Sequence, residues 1–295
     1  MKYNDIASLI ESLSERDLSI LESLRTHRAL TTVLIRRLHF PIGSEPQEAG
    51  SGKSHATEMA AAVATIRVLG RLESHRLITR LHRRIGGVRA GSQGITWQLG
   101  ASGERLLRAR HGDPARRRYS EPSPSFIAHT LAAADLAIRL YELARQGAIE
   151  LLRLEAEPEC WRTFLSAHGA RQWLKPDLFA ITAAGDYENH LFIEADNATE
   201  HTPVIVRKAL QYQHYANTGI HQQEHGLFPA VAWVVPDGKR KTVIRAALAK
   251  EPRLRDLVST GLFHVVTTDE FPAFITGDPG STAHPNGPPS QSSPR

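Results

Sequence analysis

The chain has 295 residues but only one cysteine, two methionines and 6% aromatic residues. A single thiol, Cys160, excludes an intramolecular disulfide framework and points to a reducing compartment. No run of about 18 apolar residues occurs, so no membrane-spanning helix is expected. The opening stretch MKYNDIASLIESLSERD carries acids and lacks an apolar core, so no secretion signal is expected and the cytoplasm is the expected location. What is present, 41% hydrophobic and 23% charged residues, is the composition of a folded globular chain of about two domains.

Charge is divided unevenly. Residues 1–118 contain 20 Lys and Arg against 11 Asp and Glu, and the remainder contains 16 against 20. A basic first part followed by an acidic second part suggests a nucleic-acid-binding module joined to something else. The alternative is a basic surface kept for solubility.

The first part spans about residues 14–112. Ser14 can cap a helix with acids in its first turn, followed by Leu18, Leu21 and Leu24 at helical spacing. Thr31 or Thr32 caps a second short helix carrying Val33, Leu34, Ile35 and Leu38. A third helix, about 54–75, spaces Met59, Val63, Ile66, Leu69 and Leu72 for burial. Two β segments, 77–81 and 95–99, flank the Gly- and Arg-rich stretch HRRIGGVRAGSQG, and a further helix begins at Ala101. Three helices and a hairpin in this order are those of a winged helix-turn-helix, an α+β domain. Its third helix would enter a major groove and its wing would touch the flanking backbone. The expected contacts with double-stranded DNA are Lys53, Arg67 and Arg71 from the third helix, with His55 beside them, and Arg80, Arg83, Arg84 and Arg89 from the wing. Arg116, Arg117 and Arg118 in the following connector could add to them. A protein-binding winged helix with solvated arginines is the alternative.

Gly50-Ser51-Gly52-Lys53-Ser54 resembles the end of a phosphate-binding P-loop, but the first glycine of that motif would fall at Gln47 and no buried strand precedes it. ATP binding is therefore not expected.

A connector at 113–124, rich in Pro, Ser and Arg, leads to the second part, 125–277. A helix over about 125–146 places Leu131, Ala134, Ile138 and Tyr141 on one side. Strand-like runs follow at 149–156, 176–182 and 190–196, then a helix from Pro203 to Ala216, a strand at 230–235, a helix at 241–249 and a strand at 262–267. The tail, 278–295, cannot bury an apolar core and is expected to be disordered.

This order is that of an α/β restriction-endonuclease-like, PD-(D/E)xK nuclease core. Lys175-Pro176-Asp177 and Glu194-Ala195-Asp196 stand at its key positions. Asp177, Glu194 and Asp196 are the expected catalytic and metal-binding acids, and all-oxygen ligands suit Mg²⁺ or Mn²⁺. Glu142 and Glu155 are further candidate ligands. The pattern departs at its third position, where Asp196 replaces the lysine. Lys208 on the next helix could supply that cation from a displaced position, with Gln211 and Tyr215 on the same helix face. The alternative is that Asp177 and Glu194 stabilise strand ends or pair with Lys175 and Arg207. Tyr212 and Tyr215 are available for covalent nicking, but no paired-histidine relaxase motif accompanies them. His201, His214, His221 and His225 match no zinc spacing, and Cys160 beside Trp161 reads as buried and not as a nucleophile.

The stretches RDLSILESLRTHRALTT, LITRLHRRIGGVRAGSQGITWQLGASGERLL, KPDLFAI, FIEADNATEH, RKALQYQHYANTG and FPAVAWVVPD together resemble the replication-relaxation proteins of plasmids and other mobile elements, over about residues 14–268. The resemblance implies a DNA-binding protein associated with plasmid replication and relaxation of supercoiled DNA. It places functional weight on Asp177, Glu194 and Asp196, and then on Lys208 and Tyr212. The expected partners are duplex DNA, a second copy of the chain, and replication or transfer proteins. Two other functions stay open: a transcriptional regulator with an inactive nuclease-like domain, or an adaptor that docks partners on that domain.

Overall fold

The computed structural model describes residues 11–43, 54–81, 94–113, 122–166, 168–185, 187–254 and 261–277. The wing tip with Arg83, Arg84 and Arg89, the loop with Lys53, the arginines at 116–118 and the tail at 278–295 lie outside these residues. The architecture is mixed α and β, and the chain divides into two compact units, Met1–Ile138 and Arg139–Arg295.

In the first unit, α1 (Glu15–His27) is followed by β1 (Leu30–Thr31), α2 (Thr32–His39), α3 (Glu58–Ser74), β2 (Ile78–Arg80), β3 (Thr96–Leu99) and α4 (Ala101–His111). Ser14 and Asp17 close a capping box on α1, and Thr31 and Thr57 cap α2 and α3 through their side chains. The three strands form one antiparallel sheet in the order β1-β3-β2, with Leu30 opposite Trp97 and Ile78 opposite Leu99. Strand β1 is too short to show an alternating pattern in the sequence. The core gathers Ile20, Leu21, Leu24, Leu30, Ile35, Leu69, Leu72, Trp97, Leu106 and Leu107. Helix α4 approaches the turn before β2 so closely that a Cβ at Gly103 would lie well inside van der Waals distance of the Leu77 carbonyl oxygen.

Helix α3 departs from the expected burial. Leu69 and Leu72 are buried with Ala61, Ala64 and Thr65, whereas Met59, Val63 and Ile66 are exposed. At 100° per residue the five large apolar residues fall on two sides of the helix. The small residues Ala61 and Ala64 make the inward side, which lets α3 pack closely. Val33 of α2 is likewise more exposed than its spacing implies.

Helix α5 (Pro124–Arg145) crosses the division, and its first half supplies Ile127, Leu131, Ala134 and Ile138 to the first core. Tyr141, expected on that same side, is partly exposed. The second unit contains β4 (Glu150–Ala156), β5 (Arg162–Leu165), β6 (Arg171–Leu174), β7 (Leu178–Ala184), β8 (Tyr187–Ala195), α6 (Thr202–Asn217), α7 (Ile220–His225), β9 (Ala230–Val235), α8 (Gly238–Lys250), β10 (Phe263–Thr267) and α9 (Phe271–Thr276). Five strands form a sheet in the order β10-β9-β8-β7-β4, antiparallel from β4 to β8 and parallel from β8 to β10. The all-buried run of β9, Ala230–Val235, suits a strand covered on both faces. Strands β5 and β6 pair in a separate two-stranded sheet. One face of the five-stranded sheet packs Phe179, Phe192, Val231, Trp233 and Phe263 with Ile205, Ala209, Tyr212 and Tyr215 of α6.

Candidate functional site

Register places the two key acids. Leu178 pairs with Ile193 and Phe179 with Phe192 across β7 and β8. Extended by one position, this sets Asp177 opposite Glu194. Side chains alternate along a strand, so both belong to the face that carries Phe179, Phe192 and α6. Asp177 and Glu194 are 4% and 3% exposed. The Ala195 amide donates to Asp177 Oδ2 at 2.7 Å, which ties the start of β7 to the end of β8.

Helix α6 brings a cation to Glu194. Lys208 Nζ donates to Glu194 Oε2, and the Tyr212 hydroxyl donates to Glu194 Oε1. Lys208 and Tyr212 lie four residues apart and so share one face of α6. The inward face runs Lys208, Tyr212, Tyr215, and Gln211, expected there, is partly exposed. Pro203, in the first turn of α6, fits its missing amide hydrogen to the helix start.

Charge in this site is tightly coupled. Burial pushes the Glu194 carboxyl above its ordinary value and Asp177 adds to the rise, while the Lys208 ammonium and the Tyr212 hydroxyl oppose it and favour the carboxylate. Burial works against the Lys208 ammonium, but the carboxylates of Glu194 and Asp177 outweigh it and hold that pKa above its ordinary value. The Tyr212 phenol is held well above the ordinary range by burial and then by Glu194. A phenol so held is a hydrogen-bond donor to Glu194 and a poor source of phenolate.

Asp196 has a different partner. It lies one residue beyond β8, and its two oxygens receive Arg240 Nε at 2.7 Å and Arg240 Nη2 at 2.8 Å, a bidentate pair. Arg240 also donates to the Glu200 carbonyl, so it fastens the loop after β8 to the start of α8. No local sequence pattern marks Arg240 as a partner of Asp196; it lies in the first turn of α8, where its amide donates to the side chain of Asp237, the cap of that helix. Lys175 sits 4.2 Å over the Trp161 ring and pairs with no acid among the described residues. Glu155 is paired with Arg153 and Arg162. Cys160 is buried, its Sγ hydrogen-bonding to the Pro176 carbonyl, and burial raises its pKa, which leaves it a poor nucleophile.

Among the described residues no group of three or more His, Cys, Asp or Glu side chains is placed to hold a metal ion. Mg²⁺ asks for less, since one or two carboxylates with water and substrate phosphate complete its shell. Asp177 and Glu194 have the chemistry of such a pair, and Asp196, bound to Arg240, stands outside it.

The arginines of the first unit differ in their surroundings. Arg71 donates to both Asp17 oxygens, at 2.6 and 2.7 Å, and Asp17 is fully buried. Arg80 pairs with Glu73 and lies over Trp97. Arg67 is exposed and has no ion-pair partner among the described residues. His55 stands near Arg16 and Arg67, and burial followed by those two charges lowers its pKa.

A family profile described as Replication-relaxation matches residues 21–231, which runs from the middle of α1 through the Asp177–Glu194–Lys208–Tyr212 cluster. The chain belongs to the replication-relaxation family. No curated protein and no solved structure matches it. The family's description ties this replication-relaxation protein to replication or relaxation. No helix among the described residues is long and apolar enough to cross a membrane.

Proposed function

We propose that this replication-relaxation protein binds duplex DNA through a winged helix in its first unit and nicks one strand at a PD-(D/E)xK-like site in its second. The element order α1-β1-α2-α3-β2-β3 with sheet order β1-β3-β2 supports the first half of the reading. The observation that carries the second half is the ammonium of Lys208, which α6 delivers to Glu194 beside Asp177, so that a cation stands at the acids although Asp196 replaces the expected lysine.

The residues divide the work as follows. Asp177 and Glu194 would hold a divalent cation, Mg²⁺ or Mn²⁺. Such a cation lowers the pKa of a water and neutralises charge on the scissile phosphate. Lys208 keeps its proton and, being partly exposed where Glu194 is buried, can present it to a phosphate oxygen as negative charge grows there. Tyr212 fixes the Glu194 carboxylate from below. The Asp196–Arg240 pair braces the loop that follows β8.

The test is conversion of supercoiled plasmid to open circles in Mg²⁺ or Mn²⁺. Nicking by the wild type that Asp177→Ala and Glu194→Ala each abolish supports the enzyme. A second reading is favoured by one observation: both Glu194 oxygens are already satisfied within the protein. On that reading the second unit is an inactive nuclease scaffold used for dimerisation or for docking replication and transfer proteins, and the protein is a regulator or adaptor. Sequence-specific gel shifts without any nicking would select it.

A further inference from the structure

The outward face of the β5–β6 hairpin carries a tryptophan between two cations. Arg171 and Trp173 alternate along β6, and Lys175 follows at the same period just beyond it, so the three share one face. All three are exposed, and Trp173 keeps 47% of its surface open. Register sets Trp173 opposite Thr163 and Arg171 opposite Leu165, which are exposed as well. The other face of the hairpin holds Phe164 and Leu174, buried in the core that α6 shares. Core packing therefore does not account for Trp173.

The two cations are not spent within the protein. Neither Arg171 nor Lys175 has an acid partner among the described residues. Glu155 is held by Arg153 and Arg162, and Glu157 accepts the Trp161 indole N–H at 3.2 Å. The Lys175 ammonium lies over the Trp161 ring, and Trp161 meets Trp173 edge to face with ring centroids 6.1 Å apart. That packing steadies Trp173 from one side.

The face is also fastened to the acids of the candidate site. Only Pro176 separates Lys175 from Asp177. Cys160, next to Trp161, donates its thiol to the Pro176 carbonyl at 3.0 Å, which anchors both tryptophan-bearing segments just before β7. The chain between Trp173 and Asp177 spans at most about 14 Å, the length of roughly four stacked nucleotides. An occupant must offer flat apolar faces and negative charge together, within that reach of the acids. A duplex offers phosphates but hides its base faces in the stack. A strand with unpaired bases offers both, since bases stack on an exposed indole and phosphates meet the flanking cations.

We propose, resting on the nuclease-like reading of Asp177 and Glu194, that Trp173 stacks an unpaired base while Arg171 and Lys175 hold the adjoining phosphates. The site then takes a DNA strand that is locally unpaired beside the scissile phosphate, and the grip on intact duplex stays with the first unit.

The full chain is titrated, without divalent metal, into three labelled probes: an oligothymidylate, a blunt duplex of equal length, and that duplex with a central mismatched bubble. Trp173→Ala should weaken binding to the oligothymidylate about 5- to 100-fold, weaken binding to the bubble, and leave the blunt duplex unchanged. Trp173→Phe should keep most of the binding, because a phenyl ring still stacks. Lys175→Gln should weaken the oligothymidylate and reduce its salt dependence. The variants should melt as the wild type does, because the replaced side chains are exposed. Equal binding of the oligothymidylate by wild type and Trp173→Ala overturns the inference. An equal loss on the blunt duplex overturns it too, and so does a wild-type dimer that Trp173→Ala dissociates. Nicking in Mg²⁺ or Mn²⁺ judges the nuclease reading separately. If wild type and Trp173→Ala nick the bubble duplex at the same rate, the inference fails and the nuclease stands. If the wild type nicks nothing while Trp173→Ala still loses the oligothymidylate, the nuclease reading fails and the stacking surface stands.

Discussion

Lys208 and Glu194 meet across fourteen residues of chain, the first on α6 and the second at the end of strand β8, and the ammonium donates to Oε2. On the nuclease-like reading proposed above, this contact offers a cation where the strand pattern lacks one. The expected lysine is absent from the strand, but the helix that follows supplies an amine at the same carboxylate.

The pair also bears on stability. Breaking a fully buried ion pair by removing one partner costs about 3–5 kcal/mol. Lys208 is a quarter exposed, and a stranded Glu194 can take up a proton, so Lys208→Met should cost less, about 2 kcal/mol at neutral pH. Glu194→Gln combined with Lys208→Met should recover part of that loss, because the carboxylate that Lys208 contacts is then removed with it, while Asp177 stays buried. Denaturant unfolding of the single and double variants measures both.

Arg71 and Arg67 should separate into different roles. Arg71 neutralises the buried carboxylate of Asp17, which also closes the cap of α1. Arg71→Ala should lower stability by about 1–3 kcal/mol, and Asp17→Asn should shrink that penalty in a double-mutant cycle. Arg67→Ala should leave the melting temperature unchanged. It should instead weaken duplex binding broadly across sequences and reduce the slope of log K against log salt by about one. A fall in melting temperature with Arg67→Ala and none with Arg71→Ala would reverse the assignment.

The parts of this protein legible in the sequence are those where a single periodicity dominates. Strands β7 to β10 read correctly because their apolar runs are continuous, and α6 because Pro203 marks its first turn. Asp177 and Glu194 stand out in the sequence because each lies at the edge of an apolar strand run, at a key position of the PD-(D/E)xK order. Strands β5 and β6 were missed, since Arg162–Leu165 and Arg171–Leu174 have four residues each and mix charge with aromatics. Helix α7 has six residues, too few for a period to show. Helix α3 misled for a different reason: it has apolar residues on two sides, and a list of apolar positions does not say which side faces the core. The Asp196–Arg240 pair spans 44 residues, and no local pattern foretells such a contact.

Buried His27 makes the stability of the first unit depend on pH. Burial lowers its pKa from 6.5 to about 4. The unfolded chain therefore binds a proton that the folded chain refuses between those values. Stability from this residue is complete above about pH 6.5 and is lost as pH falls toward 4. The loss is on the order of 3 kcal/mol. His27→Leu should remove this part of the slope, so the difference in unfolding free energy between variant and wild type should grow in the variant's favour as pH falls. A constant difference across that range would refute it.

Two glycines should respond oppositely to the same substitution. Helix propensity alone makes Gly→Ala stabilising by about 1 kcal/mol inside a helix. At Gly70 nothing opposes this, because the added methyl meets open space, so Gly70→Ala should raise the melting temperature. At Gly103 the methyl would run into the Leu77 carbonyl oxygen and the Leu99 side chain. The obstacle is backbone and cannot rotate away, so α4 must shift off the turn before β2 and open the core around Leu106 and Leu107. Overpacking of this kind costs about 1–3 kcal/mol and outweighs the propensity gain. Gly103→Ala should therefore lower the melting temperature, and thermal unfolding of the two variants side by side tests whether α4 sits as close to Leu77 as the fold requires.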